Sequence, residues 1–194
     1  MTDTHLTIRQ ADGAAQEVAS DLLRRFFAEE GFATTLPRRR AGLAALLNDP
    51  RGAVLLAWRQ DAADEPAGIA TASWRTTVEH ARLAQLDALY VVPEARRHGI
   101  GAALVEAVAD WAGKQACTTL AVAVGPDGEL SHGLTGFFTR RGFVDDYRKL
   151  LSLELRTDGR PTPTRRATAG EAAAGEAATA GTATGGGAAT EEAP

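Results

Sequence analysis

The feature that most constrains this chain is a short run in its middle that joins an apolar stretch to a glycine-containing loop. Residues 89–104 read LYVVPEARRHGIGAAL. The apolar stretch indicates a buried strand, Pro93 ends it, and the alanine-rich residues that follow favour a helix. Glycines at positions 99 and 101 let the backbone approach a ligand closely, because no Cβ stands in the way. The run therefore predicts a strand, a tight loop and a helix start that together form a ligand-binding site.

The start of that helix is suited to an anion. The first turn of any α-helix offers amide groups without an intrahelical acceptor, together with a partial positive charge. Arg96 and Arg97 add two positive charges beside it. The segment thus favours a diphosphate as the bound group.

Two common nucleotide-binding loops do not fit these residues. A P-loop requires Gly-Lys-Ser/Thr, whereas Gly99 is followed by isoleucine and glycine. A dinucleotide fingerprint requires a small residue where this chain has Leu104, and it usually opens the fold. A helix start that uses glycines only for packing would explain Gly101, but not the arginine pair with both glycines.

The remaining pattern predicts an α/β domain followed by a tail. Alternating apolar and polar segments indicate a central sheet that mixes hairpins and helical crossovers. We expect strands at 6–9, 53–60, 68–77, 83–92 and 118–124, one or two closing strands within 143–155, helices at 12–30, 37–47, 99–115 and 131–141, and a turn at 125–128. The domain is expected to span residues 1–155.

Composition changes sharply after Leu155. Residues 156–194 contain 12 Ala, 8 Thr, 7 Gly and 3 Pro, and no aromatic residue, Leu, Ile or Val. Such a segment buries too little apolar surface to offset the entropy lost on ordering. We predict a disordered tail over 156–194.

Whole-chain properties limit the class of protein. The net charge of −4 argues against a generic nucleic-acid surface, and a single cysteine, Cys117, excludes a disulfide framework within the chain. The N-terminal residues lack the charged start and apolar run of a secretory signal, and no stretch of 18 apolar residues is present. We expect a cytoplasmic protein with no membrane or nucleic-acid partner and no metal.

Two motifs then resemble those of the GNAT superfamily of N-acetyltransferases. Residues 96–101, RRHGIG, are similar to the family signature Gln/Arg-x-x-Gly-x-Gly/Ala, and residues 136–143, GFFTRRGF, resemble its closing FYxxxGF segment. The order of predicted elements also matches, so the resemblance covers residues 5–155. The strand that contains Asp87 is similar to that of some aminoglycoside 6′-N-acetyltransferases, which have an acidic residue there.

The resemblance implies a fold and an activity. The fold would be a mixed, mostly antiparallel central sheet with helices on both faces. The activity would be transfer of an acetyl group from acetyl-CoA to a primary amine, of a small molecule in the first interpretation. A protein lysine or N-terminal acetyltransferase, or a non-catalytic acetyl-CoA-binding module, remains open, as does a homodimer.

The resemblance also implies which residues hold acetyl-CoA. Backbone amides of the glycine loop would bind the pyrophosphate, and the end of the preceding strand would bind the pantetheine arm. The amide of Val91 or Val92 would polarise the acetyl carbonyl. The full set of expected cofactor-binding residues is Tyr90, Val91, Val92, Arg96, Arg97, His98, Gly99, Ile100, Gly101, Ala102 and Phe138.

Acetyl transfer requires a neutral amine, so a proton must be removed. An unperturbed amine with a pKa of ~10.4 is uncharged at pH 7 roughly once in 2,500 molecules, a penalty of about 4.6 kcal/mol. Asp87 is the candidate base, because an aspartate inside a strand usually faces a solvated cleft. The alternative is a surface carboxylate paired with an arginine, and Glu79 and His80 are substitutes.

The family tyrosine that would protonate the departing thiolate falls on Phe138, which has no proton to donate. Either the thiolate leaves unassisted or through water, or another group such as Ser131 donates, although Ser131 could simply cap a helix that begins there. His132 is a further alternative, to be weighed against an exposed histidine in the first turn of that helix.

The acceptor amine is expected near the end of the first helix, which in the family covers the acceptor cleft. Glu29 and Glu30 would attract a cationic amine, and Phe27 and Phe32 would form an apolar wall. A solvated acidic helix end is the competing interpretation.

Overall fold

A computed structural model of the protein describes residues 6–31, 34–62, 65–148, 150, 151 and 153. Residues up to Arg148 form one unit, and those from 149 onward form another. The predicted tail, 156–194, lies outside the described residues.

Five strands form one sheet in the order β1-β2-β3-β4-β5, antiparallel except for the parallel pair β4 and β5. The strands are β1 Leu6–Gln10, β2 Gly52–Arg59, β3 Gly68–Thr77, β4 Ala81–Val91 and β5 Thr119–Val122. The helices are α1 Gln16–Glu29, α2 Leu36–Asn48, α3 Ile100–Lys114, α4 Pro126–His132 and α5 Leu134–Thr139, with 3₁₀ turns at Gly13–Ala15 and Pro93–Ala95. The expected fold class, a mostly antiparallel sheet with helices, is confirmed.

The core lies around the two central strands. Residues 52–57 of β2 and 68–72 of β3 are buried without interruption. Because successive side chains of a strand point to opposite faces, this continuity requires cover on both faces of the sheet. Helix α3 packs on β2, β3 and β4, whereas α1 packs on β3 and β4 and α2 packs on β2. The uninterrupted apolar run AVLLAW in β2 was the sequence signal for this arrangement.

The region after β5 differs from the prediction. The expected turn at 125–128 is the first turn of α4, because Pro126 stands at a position that favours helix initiation. The expected single helix at 131–141 is two short helices, separated at Gly133, which has a φ of +59°. Ser131 therefore lies in the last turn of α4, and its predicted role as an N-cap is wrong, as is the placement of His132 in a first turn.

The closing strand is absent from the described residues between 143 and 153. The carboxylate of Asp145 accepts a hydrogen bond from the amide of Tyr147 (2.8 Å), and that of Asp146 accepts one from the amide of Arg148 (3.1 Å). Such local bonds compete with strand pairing. Two consecutive aspartates thus favour turns at the start of the predicted strand.

Within the described residues no helix combines the length and the apolar character needed to span a bilayer.

Two glycines give opposite predictions for stability. A Cβ added at Gly52, where β2 begins, would lie 2.5 Å from the carbonyl oxygen of Leu46, so Gly52→Ala should lower the free energy of unfolding by about 1–3 kcal/mol. Gly42 lies exposed within α2 with open space around it, so Gly42→Ala should raise that free energy by about 0.5–1 kcal/mol. Urea denaturation measures both. A Gly52→Ala protein as stable as the unsubstituted chain would contradict the close packing of α2 on β2.

Candidate active site

A cleft opens where β4 and β5 part. Their parallel pairing runs from Leu83 and Thr119 to Leu86 and Val122, and then stops. Beyond that point β4 continues to Val91, and this part of β4 and the residues that follow β5 line a cleft of about 510 Å³. Its walls also include the end of α1, the glycine loop, the first turn of α3, and parts of α4 and α5.

Asp87 occupies an irregularity of β4 that turns it toward this cleft. Thr71 pairs with Ala88 and Ala72 pairs with Leu86, so Asp87 is the extra residue of a β-bulge. Bulges re-aim side chains and are frequent beside active sites. The Asp87 side chain lines the cleft, as the sequence predicted for a strand carboxylate facing a solvated cavity.

The surroundings of Asp87 favour its protonated form relative to an ordinary aspartate. Desolvation by the cleft walls raises its pKa, and two weaker effects oppose that shift: a hydrogen bond from the Ser73 hydroxyl to Oδ2 (2.8 Å) and the charge of Arg75. The Arg75 guanidinium donates a hydrogen bond to Gln85 (3.1 Å). A solvent-accessible carboxylate with a raised pKa is suited to accept a proton.

The glycine loop leaves several amides pointing outward. Gly99 is left-handed, with a φ of +79°, and its carbonyl accepts the first bond of α3 from Ala103 (3.0 Å). The amides of Ile100, Gly101 and Ala102 precede that bond, so they have no acceptor within the helix. A Cβ at Gly101 would lie 3.6 Å from the Phe137 ring, an ordinary van der Waals contact.

The basic residues before this loop point in different directions. Arg97 is exposed and lines the cleft, with a φ of +64°. The guanidinium of Arg96 donates from Nε to the Val91 carbonyl (2.9 Å) and from Nη2 to Glu29 (2.6 Å). The His98 ring donates from Nδ1 to the carbonyl of Arg96 (2.8 Å), and it does not line the cleft.

At the end of β4, the amides of Val91 and Val92, which the resemblance left as alternatives, point in different directions. The amide of Val92 donates to the Ala67 carbonyl (3.0 Å), so the expectation that it could polarise an acetyl group is wrong. Bonded pairs alternate along antiparallel strands, and the amides of Leu89 and Val91 therefore face away from β3, toward the opening beside β5. The side chain of Tyr90 is buried, with its ring near Phe26 of α1.

At the end of α1 both expected glutamates line the cleft, but the expected Phe27 does not. Both oxygens of Glu29 are engaged, by Arg96 and by Nε2 of His132 (3.0 Å), and these contacts lower its pKa. Glu29 is thus a neutralised anion and not a free attractant for a cation. Phe26 lines the cleft. Phe27 instead packs against Arg39, whose guanidinium carbon lies 5.7 Å from the centroid of the Phe27 ring.

Glu30 lines the cleft beside Glu29, as expected. Phe32 lies outside the described residues.

Ser131 and Phe138 also line the cleft. Phe138 is only 3% exposed, with its ring edge-on to Phe137 (5.0 Å) and Phe143 (5.2 Å). It therefore belongs to the floor of the cleft and to the core. His132, which the sequence offered as an alternative acid, also lines the cleft. Phe137 and Arg141 line it too but were not selected from the sequence, since only the break at Gly133 orients them. Within the described residues, three or more potential metal ligands do not come together.

The raised pKa of Asp87 predicts a pH-dependent gain in stability on its neutralisation. A charged carboxylate that folding desolvates destabilises the native state above its folded pKa, and this cost disappears as pH falls below the ordinary value of 3.8. Asp87→Asn should therefore have a higher Tm than the unsubstituted chain at pH 7, and the difference should shrink as pH approaches 4. Calorimetry over this range tests it. A lower Tm for the variant at pH 7 would indicate a stabilised anion instead.

Comparison with known proteins matches this architecture. The profile of the acetyltransferase (GNAT) family matches residues 16–143. An aminoglycoside N(6′)-acetyltransferase type 1 from Klebsiella aerogenes is 38% identical over 104 residues, which cover 51% of this chain and 67% of that protein.

Solved structures agree on the fold. The aminoglycoside acetyltransferase AAC(6′)-Iy, bound to a bisubstrate analogue of CoA and acetylneamine, superposes with a TM-score of 0.64 at 18% identity, over 79% of this chain and 99% of that one. An aminoglycoside 6′-N-acetyltransferase from Acinetobacter baumannii gives a TM-score of 0.64 at 21% identity, over 77% and 98%. With the family profile matched over most of the folded unit, the chain belongs to the GNAT family of acetyltransferases.

Proposed function

We propose that the protein transfers an acetyl group from acetyl-CoA to a primary amine of a small, polycationic molecule of the aminoglycoside class. The observation that carries the proposal is the cleft between the parted strands β4 and β5, which ends on the outward amides of α3. These amides suit a diphosphate, and the carboxylates of Glu30 and Asp87 line the same cleft.

The chain's own groups fit the diphosphate of CoA. The amides of Ile100, Gly101 and Ala102 would donate to its oxygens, at the positive end of α3. Arg97, the exposed member of the arginine pair, would add a charge-assisted hydrogen bond. The amide of Val91 faces the opening beside β5 and would bind the acetyl carbonyl oxygen, whose negative charge grows during the reaction.

Asp87 is proposed as the group that receives the proton of the amine. The thioester supplies an acyl carbon open to attack: a C–N bond forms, the C–S bond breaks, and the amine loses one proton. Asp87 lines the same cleft and has a raised pKa, so it accepts that proton more readily than an ordinary aspartate.

The departing thiolate needs less assistance, since a thiol with a pKa near ~8.5 is a moderately stable anion at neutral pH. Phe138 has no proton to give. Ser131 lines the cleft and is the protein hydroxyl proposed to donate, with solvent as the alternative donor.

The small-molecule acceptor is supported by the relative from Klebsiella aerogenes. The fold alone does not discriminate, because a ribosomal-protein-alanine N-acetyltransferase from Brucella melitensis also superposes, with a TM-score of 0.61 at 17% identity. Cleft residues favour a cation, because the carboxylates of Glu30 and Asp87 both line it. Cytoplasmic location and a homodimer stay predictions from the sequence.

A substitution in the glycine loop tests the cofactor. Gly101→Asp should reduce CoA affinity severely, because a carboxylate would occupy the diphosphate position, while an acidic residue in the first turn of a helix does not harm the helix. Gly101→Ala is the control: its Cβ would make an ordinary contact at 3.6 Å, so CoA should still bind. Titration calorimetry with CoA measures both. Unchanged CoA binding by a folded Gly101→Asp protein would refute this assignment of the loop.

The role of Asp87 has its own test. Asp87→Asn should lower kcat/KM by roughly 10²–10⁴, the range for loss of a general base. CoA affinity should barely move, and raising the pH should partly restore activity because more of the amine is then neutral. Full activity of the variant between pH 6 and 9 would place the base elsewhere.

The acceptor is tested by a panel of amines, with release of CoA thiol as the readout. Neamine and related aminoglycosides should be acetylated faster than an N-terminal peptide or a lysine peptide. Preference for a peptide would overturn the acceptor class. CoA binding without thiol release from any amine would favour the non-catalytic binding module.

A further inference from the structure

We infer that Glu29, Arg96 and His132 form a tie that positions the acceptor side of the cleft, and that Arg96 is a positioning residue and not a ligand of the diphosphate. We call these three side chains the Glu29 tie. The inference rests on the proposed function, since it assigns the donor to the glycine loop and the acceptor to the end of α1.

The tie joins three elements that are distant in sequence. Glu29 is the last residue of α1, Arg96 follows the 3₁₀ turn after β4, and His132 ends α4. The carboxylate accepts from Nη2 of Arg96 at 2.6 Å and from Nε2 of His132 at 3.0 Å, one partner on each oxygen. The end of α1 is thereby held against both the loop and α4.

Because these side chains are partly buried, we expect their contacts to contribute more stabilising free energy than exposed ion pairs do. The exposed fractions of the three side chains are 31% for Glu29 and Arg96 and 34% for His132. By contrast, Arg40 and Glu17 form a pair between α2 and α1 at 3.2 Å with side chains 51% and 79% exposed. Exposed pairs contribute little, because water screens them and ordering two long side chains costs entropy.

Arg96 also holds the strand end. Its Nε donates to the Val91 carbonyl at 2.9 Å, while the amide of Val92, in the same peptide unit, donates to Ala67 at 3.0 Å. That peptide is therefore fixed on both edges, beyond the point where the pairing of β4 with β5 stops. A planar guanidinium donates along two directions at once, which a lysine ammonium on one flexible stem does not reproduce.

An apolar contact lies beside the tie. One turn before Glu29, Phe26 packs edge-on to Tyr90 with centroids 6.4 Å apart, and the Arg96 guanidinium lies 5.6 Å from the same Tyr90 ring. Residues three apart share a helix face, so this face of α1 packs on the end of β4 through both contacts. The acceptor wall and the strand that would hold the acetyl group are thus linked through Arg96, and Arg97 is left to face the donor.

Three variants test this division of roles: Arg96→Gln, Arg97→Gln and Glu29→Gln, with Arg40→Gln as the control from the exposed pair. CoA affinity is measured by calorimetry, and KM and kcat are measured with neamine. Arg96→Gln and Glu29→Gln should each lower kcat/KM for neamine by about tenfold, with the Kd for CoA within about twofold of the unsubstituted protein. Arg97→Gln should raise the Kd for CoA by about tenfold. Arg40→Gln should change neither.

Coupling separates the tie from general destabilisation. Because Arg96 and Glu29 share one contact, the double variant should lose less of kcat/KM than the sum of the two single losses. Arg96→Lys should behave like Arg96→Gln, since lysine restores the charge but not the two-directional bonding. A loss of CoA affinity in Arg96→Gln equal to that in Arg97→Gln would overturn the inference, as would additive losses in the double variant.

Failure of the proposed function gives a different pattern. If the unsubstituted protein neither binds CoA nor releases thiol, the proposed function is wrong. Urea denaturation of the same variants then tests whether the Glu29 tie exists. Shifts of the denaturation midpoint that are non-additive in the double variant of Glu29→Gln and Arg96→Gln would support it, and additive shifts would overturn it.

Discussion

The structure depends above all on the early end of the pairing between β4 and β5. Strand β4 has eleven residues and β5 only four, so within the described residues the last part of β4 has no strand neighbour on that side. Backbone amides and carbonyls that are turned away from both water and a partner strand cost free energy, and each must find a partner. One is the Val91 carbonyl, which accepts from Arg96. The amides beside it are available to a ligand, and this is why the opening is a cleft for an extended polar molecule.

The cleft between β4 and β5 contains two carboxylates, Glu29 and Asp87, in opposite electrostatic environments. Arg96 and His132 lower the pKa of Glu29 and keep it anionic. Desolvation raises the pKa of Asp87, whose carboxylate accepts a hydrogen bond from the Ser73 hydroxyl. Environments that push the pKa values of neighbouring acids apart commonly separate a structural or electrostatic role from a proton-transferring one. The proposed roles of the two residues follow this separation.

The glycine loop connects this chemistry to the core. Ile100 and Leu104 are fully buried beneath the sheet, so the first turn of α3 is fixed while its amides point outward. Gly68 of β3 leaves room for both side chains, because a Cβ there would lie 3.1 Å from each. A rigid helix start is preorganised for an anion, which limits the entropy lost when the ligand binds.

The sequence by itself determined the fold class, the strand–loop–helix at residues 89–104 and the placement of an acidic residue at 87. These follow from local signals: apolar periodicity, a proline that ends a strand, and glycines that permit a left-handed turn. The tertiary structure alone decided three other matters. It identified Asp87 as the extra residue of a bulge, because strand register depends on the neighbouring strand. It divided the arginine pair, because Glu29 lies 67 residues from Arg96 and no local pattern connects them. It also replaced the expected helix at 131–141 with two short ones, because the left-handed conformation of Gly133 ends the first, and so it oriented His132 toward Glu29.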